Sequence, residues 1–341
     1  MRNGHPHMNT HNSFTIACSA ALPRIAFLAL MALMALSTVA AAQGYPSKPA
    51  RIVVPFPPSG PVDIAGRLIA QKLAESSGQT VIVDNRAGAG TIIGTDVVAK
   101  SAPDGHTLLI GTSQIVVNPS VYAKLPYNTL TDLAPVTQIS SQPYMLTAHP
   151  SLPAKTFKEM IALAKTKPGG LRCASAGIGS GNHLTCELLN NMAGIEITHV
   201  PYKGSVAAIT DVVGGQVEMA FSNAMAVVPF VKSGKLQPLA MTSKQRAAML
   251  PDVPTVAESG FPGFEASVWF GVFVAGATPP DMIRRIATEV GRVLRQPEVS
   301  KVFTSEGGEV VASTPEQFSE YVKSEMVKWT EVVKRAGIKA E

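Results

Sequence analysis

The sequence is poor in cysteine, in charge and in aromatic side chains. It has three Cys in 341 residues and no Cys-x-x-Cys pair, which excludes a zinc ribbon, an iron–sulfur protein and a disulfide-stapled mini-domain. Lys and Arg number 29 against 24 Asp and Glu, and the resulting +5 is spread without any basic run. Nucleic-acid phosphates need Lys and Arg clustered on one face, so nucleic acid is excluded as the main partner. No His-Glu-x-x-His occurs, and no Ser lies in Gly-x-Ser-x-Gly; Ser180 comes nearest, with Ile178 in place of the first glycine. Carboxylate pairs at acid/base spacing are also missing. Enzyme is therefore the weaker reading, with no catalytic residue, metal or cofactor expected. What is plentiful is apolar residues (46%), with 28 Gly and 26 Pro. That composition makes a globular protein, and the length exceeds one typical core, so two domains or a two-lobed α/β unit are expected.

The first 42 residues read as a secretory signal peptide. Arg2 and Arg24 precede the apolar run IAFLALMALMAL at 25–36, and small residues follow up to an Ala-x-Ala site at Ala40 and Ala42. The run is short for a membrane span of roughly 20 residues. An uncleaved anchor helix is the alternative, against which Gly44 and Pro46 argue. Cleavage after Ala42 places the product outside the cytoplasm, in the periplasm.

Beyond the leader, strands and helices alternate. RIVVPF at 51–56 is a β-branched run broken by Pro57-Pro58-Ser59-Gly60-Pro61, and an amphipathic helix opens at Asp63 and ends at Gly78. Strands at 80–83 and 107–110 follow, the second stopped by Gly111-Thr112-Ser113, with a helix at 93–100 between them. The pattern restarts with the capping box Thr156-x-x-Glu159, a strand at 171–175, the loop Gly177-Ile178-Gly179-Ser180-Gly181 and a helix at 183–192. Strands at 197–200 and 217–221 and a helix at 207–213 complete it. This rhythm predicts an α/β fold with two mainly parallel sheets flanked by helices. Segments 143–149 and 268–274 each read as a strand, a Pro-containing bend and a helix, as two crossovers between lobes would. They predict a discontinuous first domain, 43–143 plus 269–341, and a second domain, 144–268. A last helix opens at the Thr314-x-x-Gln317 box, buries Phe318, Val322, Trp329 and Val333, and stops at Gly337.

Gly88-Ala89-Gly90-Thr91-Ile92-Ile93-Gly94 imitates a dinucleotide turn. The next strand ends in Gly-Thr-Ser rather than an acidic residue that could hold a ribose, so a packing turn is the preferred reading. The Gly/Ser loops at 57–63, 111–114 and 176–183 each run from a strand end to a helix start. Backbone N–H groups there can bind an anion without an ionised side chain, although each loop is also compatible with an ordinary βα turn.

The stretches that carry a family likeness are YPSKPARIVVPFPPSGPVDIAGRLIA from Tyr45, VIVDNRAGAGTIIG from Val81, PDGHTLLIGTS from Pro103, GSGNHLTCELL from Gly179, HVPYKGS from His199, GGQVEMAFSN from Gly214 and LPDVPTVAESGFPGFEASVWFG from Leu250. In these the chain resembles the substrate-binding proteins of tripartite tricarboxylate transporters, the Bug/TctC family of periplasmic solute-binding proteins. The resemblance implies a type II, Venus-flytrap periplasmic binding protein with two crossover segments. It also implies a monomer that captures a small mono- or dicarboxylate in an interdomain cleft and passes it to a membrane permease. The alternatives are a ligand receptor for a sensor kinase and, more remotely, an exported serine hydrolase with Ser180 or Ser113 as nucleophile. The contacts it implies are Phe56, Pro57, Ser59, Gly60, Thr112 and Ser113 in the first domain. In the second they are Ser175, Gly177, Gly179, Ser180, Gly181, His183, Tyr202, Lys203, Gly204 and Ser222. Phe56 and Tyr202 could equally be core aromatics, Lys203 a solvated cation and His183 a helix cap. Ser stands at Ser59 where the family usually has Gly, and at Ser222 where it often has Asp; without that carboxylate an amino-acid ammonium has no partner. Cys173 and Cys186 lie on a strand and on the helix that packs back on it, either as a disulfide or as two buried thiols.

Overall fold

The computed structural model describes residues 45–339, apart from 248, 249, 306 and 307, together with residues 1 and 4. The leader at 1–42 therefore lies almost wholly outside the described residues. In the first sheet β1 (Ala50–Val54) runs parallel to β2 (Val81–Asn85) and to β3 (Thr107–Thr112). Two long strands then cross antiparallel, β9 (Ser267–Ala275) against β3 and β4 (Leu133–Ala148) against β9. β4 belongs to both sheets. Its residues 133–143 pair with β9, and its residues 144–148 pair with β7 (Met219–Asn223) and β8 (Gln237–Met241). β5 (Leu171–Ser175) lies parallel to both β7 and β6 (Ile197–Pro201). A short β10 (Glu309–Val310) edges β4. This is a two-domain α/β fold in which β4 and β9 are the crossovers.

Helices cover both faces because the strands alternate apolar side chains to both. On β3, Ile110 joins Ile52, Val54, Ile69 and Leu73 of α1 (Pro61–Ser77) in one cluster, while Leu109 faces Trp269, Phe273 and Phe318 in another. The second cluster continues through Leu146, Phe157, Leu184 and Phe221 into the other domain, so one core runs through both. A third, with Met145, Ile209, Val212 and Val227, backs the second sheet.

Capping decides several boundaries. Thr314 and Gln317 form the reciprocal box that opens α10 (Pro315–Ala336), and Gly337 closes it at φ 64°. All four side chains assigned to its inner face, Phe318, Val322, Trp329 and Val333, are buried. α10 packs on α3 (Gln114–Val121) and β4 and also on α5 (Gly181–Ala193), tying the domains together behind the cleft. The imitation dinucleotide turn is a packing device. Gly90 sits at φ 59° with its carbonyl accepting the Asn118 amide, and a Cβ on Gly94 would come within 2.8 Å of the Arg86 carbonyl and Pro55. Gly111 and Thr112, expected to stop β3, are its last residues.

Cys173 and Cys186 are both fully buried and unbridged. This corrects the disulfide alternative in favour of two interior thiols. A hydrogen bond with Cys173, and then burial, push the Cys186 thiol well above its ordinary range. Disulfide formation needs the thiolate, which such surroundings disfavour. The expected result is two titratable thiols in denatured, unreduced mature protein. Finding none would show the pair oxidised.

Candidate functional site

Between the domains lies a cleft of about 520 Å³, within the usual range for a small-molecule site. Its walls come from strand ends and from the crossovers. Phe56 and Pro57 follow β1, Thr112 ends β3 and Asn223 ends β7, so these line the carboxyl edges of the sheets. Gln142 and Tyr144 on β4, and Val268 and Phe270 on β9, each two residues apart, present one face of the crossing pair to the cleft. The opposite face, with Ser141, Pro143 and Ser267, lines a larger cavity of about 740 Å³. That cavity holds none of the contacts the resemblance implied. Among its ionic side chains, Lys244 is paired with Glu265 and Arg246 with Glu258.

Among the described residues, no ionisable side chain other than Tyr144 lines the 520 Å³ cleft. Tyr144 is 7% exposed, and among the described residues nothing hydrogen-bonds its hydroxyl. Burial alone pushes its pKa up, so it is a neutral donor. The hydroxyl sits against Gly181, where a Cβ would be 2.2 Å from Oη. Gly181 is the first residue of α5, and Ser180 at its N-cap supplies no capping bond. Among the described residues the Gly181 and Asn182 amides, at the positive end of the helix, have no acceptor, while the His183 N–H donates to the Asn182 side-chain oxygen at 3.2 Å. Asn223 completes this wall, donating to the Gln142 side-chain oxygen at 2.8 Å and accepting the Met225 N–H at the start of α7 (Ala224–Lys232).

The loop at 57–61 is different. Three of its five residues are proline and have no N–H. The Ser59 N–H, on a residue at φ 70°, donates to Asp63 rather than to the cleft. Asp63 is buried in the first turn of α1 and also accepts from Arg67 and Asn85. The Arg67 hydrogen bond, with the Ser59 and Asn85 bonds, holds its carboxyl at about 2, so it is ionised. A fixed carboxylate already neutralises that helix end.

Of the implied contacts, Phe56, Pro57, Gly60, Thr112, Ser113 and Gly181 line the cleft. Gly179 borders a small neighbouring cavity with Gln114, Leu184 and Trp329. The others lie outside it. Ser175 is fully buried and shares a hydrogen bond with His199. Gly177 shapes the loop at φ 131°, and Ser180 donates to the Gly177 carbonyl rather than approaching an imidazole. The Tyr202 hydroxyl donates to Asp211, which pushes its pKa up to about 12. Lys203 is exposed, Gly204 caps α6 (Ser205–Val213), and Ser222 is buried within β7 beside the cleft residue Asn223. Gln142, Tyr144, Val268 and Phe270 went unread as site residues, because their common face exists only once β4 and β9 pair, Gln142 opposite Val268.

His183 supports the loop from beneath. Its Nδ1 accepts the Gly179 N–H at 3.0 Å, and its ring stacks on His199 at 3.6 Å. Burial first, and His199 second, lower its pKa to about 4. The unfolded chain takes up this proton near 6.5 and the folded chain only near 4. Stability is therefore lost as pH falls through that window, by about 3 kcal/mol from this group once pH 4 is reached. Glu187, 3.8 Å from Nε2 and raised by burial, acts in the opposite direction near the bottom of the window. Denaturation midpoints of wild type and His183→Gln should therefore converge on acidification; parallel curves would contradict neutral burial of His183.

The fold is that of a two-domain binding protein, and the cleft at the interdomain strand ends is its candidate site. The family model of the tripartite tricarboxylate transporter family receptor, TctC, matches residues 65–338. Protein BugT of Bordetella pertussis is 39% identical over 301 residues, which cover 88% of this chain and 92% of that one. Among solved structures, an R. palustris protein with adipate superposes with TM-score 0.70 at 35% identity, covering 87% of this chain and 100% of that chain. MatC from Rhodopseudomonas palustris with bound malate gives 0.66 at 32%, covering 85% and 100%. The chain belongs to the TctC family, whose members are periplasmic solute-binding receptors.

Proposed function

We propose that this chain is exported through the leader at 1–42, captures a small carboxylate in the interdomain cleft and delivers it to the membrane permease of a tripartite tricarboxylate transporter. It acts as a monomer of two domains, 43–143 plus 269–341 and 144–268. The observation that carries this reading is the hydroxyl of Tyr144, without a hydrogen-bond partner among the described residues, set against the start of α5 at Gly181, in a cleft whose other described side chains are all non-ionisable. A carboxylate there receives hydrogen bonds from a neutral hydroxyl and from backbone amides at a positive helix end. The relatives solved with adipate and malate support a carboxylate as the cargo. Thermal denaturation of the mature protein with a panel of carboxylates tests it. A ligand at 100 times its Kd adds about 2.7 kcal/mol, so at least one carboxylate should raise the midpoint by several degrees. A panel in which none does so would contradict the reading. Loss of uptake of the same carboxylate in cells lacking this chain tests the delivery step.

A further inference from the structure

The polar groups of the cleft gather around Tyr144: Gly181, Ser113 and Gln114 share a small adjoining cavity with it, and Gln142, two residues before it on β4, accepts from Asn223. The apolar end is the segment after β1, with Phe56, Pro58, Pro61 and Val62, and Phe270 belongs to the same apolar cluster as Phe56 and Val62. The apolar end also has the Asp63 carboxylate behind it, ionised and tied to Ser59, Arg67 and Asn85. The loop around it is short of donors, because Pro57, Pro58 and Pro61 have no N–H and the Ser59 N–H is engaged. A second carboxylate at this end would give up its water to apolar side chains and find few hydrogen-bond donors. An alkyl chain or ring placed there would instead bury apolar surface.

We infer that the cargo is a monocarboxylate with an apolar body the size of a short alkyl chain or a single ring. Its carboxylate lies at Tyr144 and Gly181, and its body lies against Phe56, Val62 and Phe270. This rests on the reading that the cleft binds carboxylates, and it narrows that class.

Calorimetric titration of the mature protein with matched pairs tests it: hexanoate against adipate, and benzoate against terephthalate. Each pair keeps its carbon skeleton or ring and differs by one carboxylate. The monoacid is expected to bind at least roughly tenfold more tightly in each pair. Phe56→Ala, at a half-buried position, should weaken hexanoate about tenfold while leaving acetate unchanged within about twofold. Diacids that bind as tightly as their monoacids, or more tightly, overturn the inference and leave the carboxylate reading standing. Equal weakening of hexanoate and acetate by Phe56→Ala likewise overturns the orientation. If neither series binds, the carboxylate reading fails and the inference with it.

Discussion

Alanine at Gly181 is expected to weaken ligand binding on the order of 100-fold, about 2.7 kcal/mol, while the protein still folds. The new Cβ would fall 2.2 Å from the Tyr144 hydroxyl oxygen. Tyr144 is held in β4 by its own backbone, which donates to the Thr242 hydroxyl and accepts from the Thr242 N–H. Relief must therefore come from swinging the phenol into the cleft or from displacing the start of α5, and either movement dismantles the polar end. Gly181 has no φ in the left-handed region, so backbone strain does not contribute and the clash is the whole effect. Adding Tyr144→Phe removes the clashing oxygen, so the double variant should recover part of the loss, while Tyr144→Phe alone weakens binding by about tenfold for one hydrogen bond to a charged group. Calorimetry on the three variants checks this. Wild-type affinity in Gly181→Ala would place the ligand elsewhere.

Gly271→Ala is expected to cost stability instead, about 3 kcal/mol. Gly271 lies in β9, opposite Gly111 of β3 and Gln138 of β4, where the strands are paired on both sides and cannot part. The Phe318 ring rests directly on it, with Cζ 2.2 Å and Cε1 2.6 Å from the site of a Cβ. That ring is fully buried, edge-on to Trp269 at 5.6 Å and tilted against Phe273 at 5.1 Å. Moving it shifts the first turns of α10, the helix that touches both domains. The midpoint of urea unfolding should fall with little change in slope. A shift worth less than about 0.5 kcal/mol would mean that α10 can re-seat without loss.

The α/β alternation was legible because each signal is local. β-branched runs gave β1 and β3, Thr-x-x-Glu and Thr-x-x-Gln boxes gave helix starts, and glycines at 78 and 337 gave helix ends in the left-handed conformation. The first half of β4 escaped, since Pro135, Gln138, Ser140 and Gln142 carry no apolar alternation and the ladder shifts register twice. What extends that segment is pairing with β9, far away in sequence. β8 and the helix Pro297–Ser305 went unread as well. At the site, the glycine-rich loop of the second domain and the Phe-Pro turn after β1 could be read from residue type and family likeness. The direction of a single N–H could not. Ser59 faces Asp63 because a side chain four residues on reaches back to it, which residue type alone does not reveal. Tyr144 read as part of a strand, and only the fold shows its hydroxyl standing alone over Gly181.

The central claim is that the ligand is held between two domains that close on it. Small-angle scattering of the mature protein, without ligand and with a saturating amount of the carboxylate that raises its denaturation midpoint most, tests this directly. A ligand gripped from both sides shifts the population towards the closed arrangement. The account predicts a smaller radius of gyration and a shorter maximum dimension in the presence of that carboxylate. A carboxylate that stabilises the protein while leaving both dimensions unchanged would contradict it.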